Sequence, residues 1–430
     1  MRIHSSRLNG ALRLALSISL LAFSPRSQAY SVLTHEQLID LSWKTLIEPL
    51  LRSRFPRATP DQMRAAHAYA YGGCAIQDMG YYPFGKAFFS DLTHYVRTGD
   101  FITSLLRNSR TIDEYAFALG ALSHYVGDNI GHRDAINLAV GLGFPKLEKL
   151  FGPSVTYDED PHAHVRVEFA FDISEISKHR LAPAAYLEFI GLQVSRRLLE
   201  QSFEETYALR LGSVLGREGP AIRSYRSSVR SFIPTVAHAE TVIHRDEFPP
   251  DSPDHEFEVY TDRISRADFQ TTWNAYRRQP SLRTHLLAFL IRILPKIGAL
   301  SDLAIKVPDQ KTNDLYVRSL NRSFELFRSL LADFKAHPDR IPPIPNRDLD
   351  TGERSKPGAY ALTDETYAEL LHRITSDHVQ PVPPDLRQDI LNFYANPAAP
   401  IATKTNQKKW KRVLKEIAIL QQTTPAPGSS

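Results

Sequence analysis

Residues 111–132 read TIDEYAFALGALSHYVGDNIGH, and this stretch decides the predicted fold. Thr111 and Glu114 have the spacing of a capping box, in which each side chain bonds the backbone N–H of the other residue. The almost wholly apolar residues 115–122 follow and predict a buried helix. His124, Asp128 and His132 continue this helix at four-residue steps, so all three would project from one buried face.

Two imidazoles and a carboxylate on a buried face indicate a metal site. Burying such groups is costly unless each is hydrogen-bonded, paired or bound to a metal ion. Zinc accepts neutral imidazole nitrogen and carboxylate oxygen together. The alternative is a hydrogen-bonded polar seam between helices, which the segment alone does not exclude.

Three further places in the first 170 residues carry similar side chains. His164 and Glu168 repeat the four-residue step on a helix that Asp160 and Pro161 would open. Asp78 and His94 flank a loop-like segment, and His35 stands near the predicted start of the mature chain. Each of these taken alone is compatible with ordinary surface residues.

The N-terminus has the features of a secretory signal peptide. Arg2, Arg7 and Arg13 precede and enter the apolar residues 14–23, and Ser27-Gln28-Ala29 offers a small-x-small cleavage site. The apolar stretch is shorter than the roughly 20 residues that span a bilayer. We therefore expect export to the periplasm or medium, removal of residues 1–29, and a mature chain that begins at Tyr30.

The charge and cysteine content narrow the classes of partner. The full chain has 52 Lys+Arg and 48 Asp+Glu, and residues 1–29 contain four arginines and no acidic residue. The remaining chain is balanced, so a stable nucleic-acid partner is not expected from its global charge. The single cysteine cannot form an intrachain disulfide, which leaves the apolar core and metal ions to stabilise the protein.

The helical patterns predict a mainly α protein with a helical, proline-rich C-terminal extension. Thr59 and Pro60 would open another early helix. The sequence predicts a signal peptide at residues 1–29 and a helical domain at 30–230. A linker or long loop rich in turn formers would follow at 231–262, then a helical region of unknown role at 263–415 and a disordered tail at 416–430.

Taken in order, these residues resemble the ligand series of the zinc-dependent phospholipase C family and of the single-strand nucleases with the same fold. Members use the mature N-terminal residue, a nearby His, an Asp, a His, an H-x3-D step with a further His, and an H-x3-E or H-x3-D step. The resemblance covers residues 30 to about 170. It implies a multi-helix phospholipase C/nuclease-like bundle that holds about three Zn²⁺ ions.

The resemblance also assigns ligands. One zinc ion would be held by Asp78, His94, His124 and Asp128. Asp128 would bridge to a second ion, which the Tyr30 amine and carbonyl and His35 would bind. The third ion would be held by His132, His164 and Glu168.

The chain departs from the family pattern at two positions. Tyr30 replaces the usual tryptophan, which should be tolerated because its ligand atoms belong to the backbone. The next family histidine is expected six residues after the bridging aspartate, where this chain has Asp134. Helical spacing favours His132 instead, and Asp134 remains the alternative ligand.

The resemblance implies a phospholipase C that uses a zinc-bridged hydroxide to release diacylglycerol and a phosphorylated head group. Asp78 would then be the catalytic residue that accepts a proton from the nucleophile. The partner would be a phospholipid or another phosphodiester, with peripheral membrane contact. A single-strand nuclease and a non-catalytic, zinc-stabilised binding protein are the alternatives.

Overall fold

Every regular element in the described part of the chain is a helix. The computed structural model describes residues 31–244, 247–267, 269–278, 280–293, 305–376 and 382–422. Beside the helices, these ranges contain one isolated antiparallel bridge, between Arg347 and Arg354. The predicted mainly α, multi-helix fold is confirmed. The predicted signal peptide and Tyr30 lie outside the described residues.

The helices of residues 31–227 form the part of the fold that carries the predicted ligands. They are α1 (Val32–Ser42), α2 (Glu48–Arg54), α3 (Pro60–Gly73), α4 (Ala87–Tyr95), α5 (Thr98–Asn108), α6 (Ile112–Gly131), α7 (Asn137–Gly143), α8 (Pro145–Phe151), α9 (Pro161–Ser177), α10 (Ala184–Ile190), α11 (Arg196–Tyr207), α12 (Leu211–Leu215) and α13 (Glu218–Ser227). A 3₁₀ turn at Ile76–Tyr81 precedes α4, and π-helical turns follow α1 at Trp43–Ile47 and α6 at His132–Ile136.

The remaining helices follow a π-helical turn at Ser228–Phe232. They are α14 (Ile233–Ile243), α15 (His255–Arg266), α16 (Phe269–Asn274), α17 (Leu282–Ile293), α18 (Gln310–Ala336), α19 (Ala361–Ser376), α20 (Pro384–Phe393) and α21 (Gln407–Gln422), with a 3₁₀ turn at Ala402–Thr405. No helix among the described residues combines the length and the apolar character that crossing a membrane requires.

Helices occupy parts of two segments that were predicted to be a linker or long loop and a disordered tail. The segment 231–262 is not a long loop, because α14 and α15 occupy most of it and the turn formers at 248–254 break the helix only locally. The predicted disordered tail starts too early, because α21 continues to Gln422. Its residues Glu416 and Leu420 are buried, and Glu416 Oε1 lies 2.6 Å from His372 Nδ1 of α19. Residues 423–430 lie outside the described ranges.

The predicted helix starts are confirmed by their hydrogen bonds. Capping boxes open α3 at Thr59 and α6 at Thr111. The Asp160 carboxylate accepts a hydrogen bond from the backbone N–H of Ala163 at the start of α9. These caps satisfy backbone donors that a helix end leaves without an intrahelical partner. They therefore fix where α3 and the ligand-bearing helices α6 and α9 begin.

Helix α6 lies at the centre of the fold and packs very closely on α3. A Cβ atom added to Gly73 would lie 2.1 Å from the backbone oxygen of Phe117, and one added to Gly120 would lie 2.2 Å from that of Ala70. Only glycine permits such an approach of two helix backbones. Tyr316 and Leu320 of α18 belong to the same apolar core as α6, so the two halves of the chain share one core.

The close contact of α3 and α6 makes Gly120→Ala strongly destabilising. The added methyl group meets backbone atoms that cannot move aside, and overpacking of this kind costs about 1–3 kcal/mol or more. We expect a lower free energy of unfolding in chemical denaturation of the metal-free protein, followed by circular dichroism.

Gly219→Ala in α13 is the matched control. Its added Cβ would meet only the guanidinium end of Arg223, at 3.4 Å. We expect this variant to be as stable as the parent, or more stable by roughly 0.5–1 kcal/mol, because alanine favours the helix. Equal stability of the two variants would contradict the close packing of α3 on α6.

Candidate metal centre

Four helices and two short turns bring eight of the nine predicted ligand residues together. His35 comes from α1, Asp78 from the 3₁₀ turn, His94 from α4, His124 and Asp128 from α6, His132 from the π-helical turn after α6, and His164 and Glu168 from α9. Each of these residues is at most 1% exposed. They form three groups that could each hold a metal ion, and Tyr30, the ninth, lies outside the described residues.

The first group lies where α4 and α6 face the 3₁₀ turn. His94 Nε2 is 3.4 Å from Asp78 Oδ1, 3.4 Å from Asp128 Oδ2 and 3.3 Å from His124 Nε2. His124 Nε2 is 3.0 Å from Asp128 Oδ2. Two ligand atoms of one tetrahedral zinc ion are about 3.3 Å apart, since each lies about 2.0–2.1 Å from the metal. These separations therefore match the edges of a zinc coordination polyhedron.

Backbone carbonyl groups orient both imidazoles of this group. Nδ1 of His94 lies 2.8 Å from the Ser90 carbonyl oxygen, and Nδ1 of His124 lies 3.0 Å from that of Cys74. A carbonyl oxygen only accepts hydrogen bonds, so each Nδ1 carries a hydrogen, and each ring, when neutral, turns a bare Nε2 towards the other. Two lone pairs in this position require a positive charge between them.

Asp128 joins the first group to His35. Its Oδ1 atom lies 3.1 Å from His35 Nε2, whereas its Oδ2 atom faces His94 and His124. The His35 and His124 rings stack with their centroids 4.2 Å apart. One carboxylate thus has an oxygen in each of two ligand groups, which is the bridging position that the resemblance implies.

Asp172 of α9 anchors the helix that carries His35, a role that was not predicted from the sequence. Its carboxylate accepts hydrogen bonds from Leu33 N at 3.1 Å, Thr34 N at 3.0 Å and Thr34 Oγ1 at 2.8 Å. It therefore caps the first turn of α1 from another helix. A signal was present, since Asp172 follows Glu168 by four residues and continues the buried face of α9.

The third group, beside the first group and the His35 group that Asp128 joins to it, combines His132 with His164 and Glu168. The imidazoles stack with centroids 5.0 Å apart, and His164 Nδ1 lies 2.9 Å from Glu168 Oε1. Asn137 fixes the orientation of His164, because Asn137 Oδ1 lies 2.8 Å from His164 Nε2 while Asn137 Nδ2 donates to the Asp350 carbonyl oxygen. His164 Nε2 is therefore the donor, and its bare Nδ1 faces the Glu168 carboxylate.

Asp134, the alternative to His132, does not point into the centre. Its carboxylate is 16% exposed and pairs with Arg133 at 2.8 Å and with Arg322 at 2.7 Å. The π-helical turn at His132–Ile136 keeps His132 on the buried side and directs Asp134 outwards. The geometry therefore favours His132 as the ligand.

The pKa shifts show that the centre demands positive charge. Burial lowers the pKa of His94, but the nearby carboxylates of Asp128 and Asp78 outweigh it and hold that pKa well above its usual value. Burial, with the nearby Asp78 and Asp128 carboxylates, raises the pKa of Glu168 far above normal. Burial also lowers the pKa of His35, His132 and His164, which keeps these imidazoles neutral and able to bind a metal.

The buried polar atoms of the centre fit zinc. Both Asp78 oxygens, Glu168 Oε2 and both ring nitrogens of His132 have no hydrogen-bond partner among the described residues. No Lys or Arg of the described ranges forms an ion pair with Asp78, Asp128 or Glu168. Buried polar groups normally have partners, and divalent cations would satisfy this mixture of imidazole nitrogen and carboxylate oxygen.

Comparison with known proteins agrees with this arrangement. The model of the family described as zinc dependent phospholipase C matches residues 34–216. No curated protein and no solved structure matches the chain. The matched region contains all eight described ligand residues, and the resemblance inferred from their order is confirmed. The part of the chain that holds this centre, residues 34–216, is therefore similar to the zinc-dependent phospholipase C family.

Proposed function

We propose that this protein is a zinc-dependent phosphodiesterase that acts on phospholipids. One observation carries the proposal: Asp128 lies between two groups of buried ligands, with a third group close by, inside a region that matches the phospholipase C family. A single structural zinc site needs four ligands and no shared carboxylate. Three ligand groups, two of which share the Asp128 carboxylate, are instead the arrangement expected of a centre that binds a substrate as well as metal ions.

Zinc bound here would activate a water molecule near neutral pH and neutralise phosphate charge. The protein residues have complementary tasks. Asp128 sets the spacing of two groups, and the carbonyl groups of Ser90 and Cys74 hold His94 and His124 in one tautomer. Asp78 has two buried carboxylate oxygens without a donor among the described residues, so it can accept the proton that an attacking water loses.

A phospholipid is preferred over nucleic acid on the grounds of charge. A single-strand nuclease needs a basic groove with aromatic stacking platforms. The mature sequence predicted here has equal numbers of acidic and basic residues, and its metal centre is rich in carboxylates. Diacylglycerol and a phosphorylated head group are the proposed products, and peripheral contact with a membrane is part of the proposal.

Removing ligands should abolish hydrolysis without unfolding the protein. We expect His124→Ala and Asp128→Ala to lower the hydrolysis of phosphatidylcholine more than about 100-fold, since even partners outside the ligand shell are worth 10–100-fold. His337→Ala, which changes a histidine that is 57% exposed, is the matched control and should keep full activity. Circular dichroism and zinc content are measured on the same samples.

The substrates separate the three candidate functions. Cleavage of phosphatidylcholine but not of single-stranded DNA supports the proposal, and the reverse result identifies a nuclease. If neither is cleaved and the ligand variants unfold, the zinc ions are structural and the protein is not an enzyme of this class.

We also propose export, cleavage after Ala29 and metal binding by the new N-terminus. The position of α1 supports this, because Ser31 is buried at its start and His35 reaches Asp128 one turn later. N-terminal sequencing of the exported protein should begin at Tyr30, and metal analysis should find about three zinc ions.

The free amine at Tyr30 can be tested separately. A mature chain that carries one extra glycine before Tyr30 should lose about one zinc ion, because the chelating amine is displaced. The same measurement on a chain that begins at Tyr30 is the control. Equal zinc content of the two chains would contradict metal binding by the N-terminus.

A further inference from the structure

The segment 344–360, which lies outside the family-matched region, crosses the metal centre. Tyr125 OH donates to the Pro345 carbonyl oxygen at 2.6 Å, and Leu349 N donates to the His94 carbonyl oxygen at 3.0 Å. Gly352 has a φ of +69°, and a Cβ there would lie 2.3 Å from the Asn129 carbonyl oxygen. The segment is therefore seated directly on the two helices that supply His94, His124 and Asp128.

Asp350 projects from this segment into the centre. It is 0% exposed, and its Oδ2 atom accepts hydrogen bonds from Tyr95 OH at 2.9 Å and Tyr360 OH at 2.6 Å. Its backbone oxygen accepts from Asn137 Nδ2 at 2.9 Å, and Asn137 also orients His164. Both the backbone and one carboxylate oxygen are thus held in place.

The turn around Asp350 is built to present it. Asp348 Oδ1 accepts hydrogen bonds from the backbone N–H groups of Asp350 and Thr351, both at 3.0 Å. Asp348 Oδ2 accepts from Thr363 Oγ1 of α19 at 2.8 Å. These contacts tie the turn to the C-terminal helices and fix the direction of the Asp350 side chain.

The other carboxylate oxygen of Asp350 faces a metal ligand. Oδ1 has no hydrogen-bond partner among the described residues, and it lies 3.6 Å from His132 Nε2, which has none either. This separation is too long for a hydrogen bond. It is close to the roughly 3.3 Å between two ligand atoms of one tetrahedral zinc ion.

We propose that Asp350 is a further ligand of the metal centre and shares its ion with His132. The inference rests on the proposed function only in requiring that the centre binds zinc. The set His132, His164 and Glu168 supplies three protein ligands, which leaves a position for water or a phosphate oxygen. The Asp350 carboxylate occupies that position, so it competes with the substrate phosphate for the same ion.

Two readouts test this role. Asp350→Asn weakens one zinc ligand, and Glu353→Gln makes the same charge change on an exposed side chain of the same segment. Zinc-loaded proteins are dialysed against increasing chelator and their zinc content is measured. We expect Asp350→Asn to lose one zinc ion at a chelator concentration at least about tenfold lower than the parent, and Glu353→Gln to match the parent.

Binding of inorganic phosphate, measured by calorimetry on the zinc-loaded proteins, is the second readout. We expect Asp350→Asn to bind phosphate more tightly than the parent and the Glu353→Gln control. Should Asp350→Asn not fold, Tyr360→Phe removes one of the two hydrogen bonds that aim the carboxylate and should shift both readouts in the same direction by less.

The inference is overturned if Asp350→Asn retains zinc and binds phosphate as the parent does, and the proposed function then stays intact. If only Tyr360→Phe folds, the same result in that variant overturns the inference. A parent protein that binds no zinc overturns the proposed function itself. If Asp350 were purely structural, Asp350→Asn would lower the melting temperatures of the metal-free and zinc-loaded proteins equally. If Asp350 is a zinc ligand, the substitution reduces the difference between these two melting temperatures, because zinc then stabilises the variant less.

Discussion

The burial of carboxylates without Lys or Arg partners is the constraint on which this structure depends. Asp78, Asp128 and Glu168 are at most 1% exposed, and their ion-pair partners in the described ranges are histidines. Such charges are too costly to bury unless cations compensate them. The shifts of the His94 and Glu168 pKa values express the same demand, because protons are taken up where positive charge is required. Metal binding at this centre would therefore be coupled to the stability of the fold.

The backbone around α6 is shaped by this centre. The helix carries His124 and Asp128, and Gly120 in its middle lets α3 approach within backbone contact. The carbonyl oxygen of Cys74, just beyond the end of α3, orients the His124 ring. Close helix packing and imidazole orientation are thus parts of one arrangement, since a wider separation of the helices would move that carbonyl group away.

The C-terminal half belongs to the same unit in physical terms. It shares the apolar core with the family-matched region, and its segment 344–360 lies against α4 and α6. Asp350 brings a fourth buried carboxylate to a centre that already contains three. Its two tyrosine partners stabilise one oxygen and leave the other directed at His132, so the region outside the family match contributes to the electrostatics of the site.

The sequence by itself determined the helical class and the capped starts of α3, α6 and α9, and it identified the side chains that converge on the metal centre. It could do so because helical periodicity and helix caps are local properties of the chain. It did not predict that helices occupy much of 231–262 or continue to Gln422, since burial against distant helices stabilises residues that look irregular or polar along the chain. The tertiary structure placed His132, which helical spacing had favoured, on the buried side and Asp134 outside, and it alone showed that Asp172 caps α1 and that Asp350 lies against His132. The contacts of Asp172 and Asp350 link residues far apart in the chain, and helical periodicity can indicate a buried face but not the partner that this face meets.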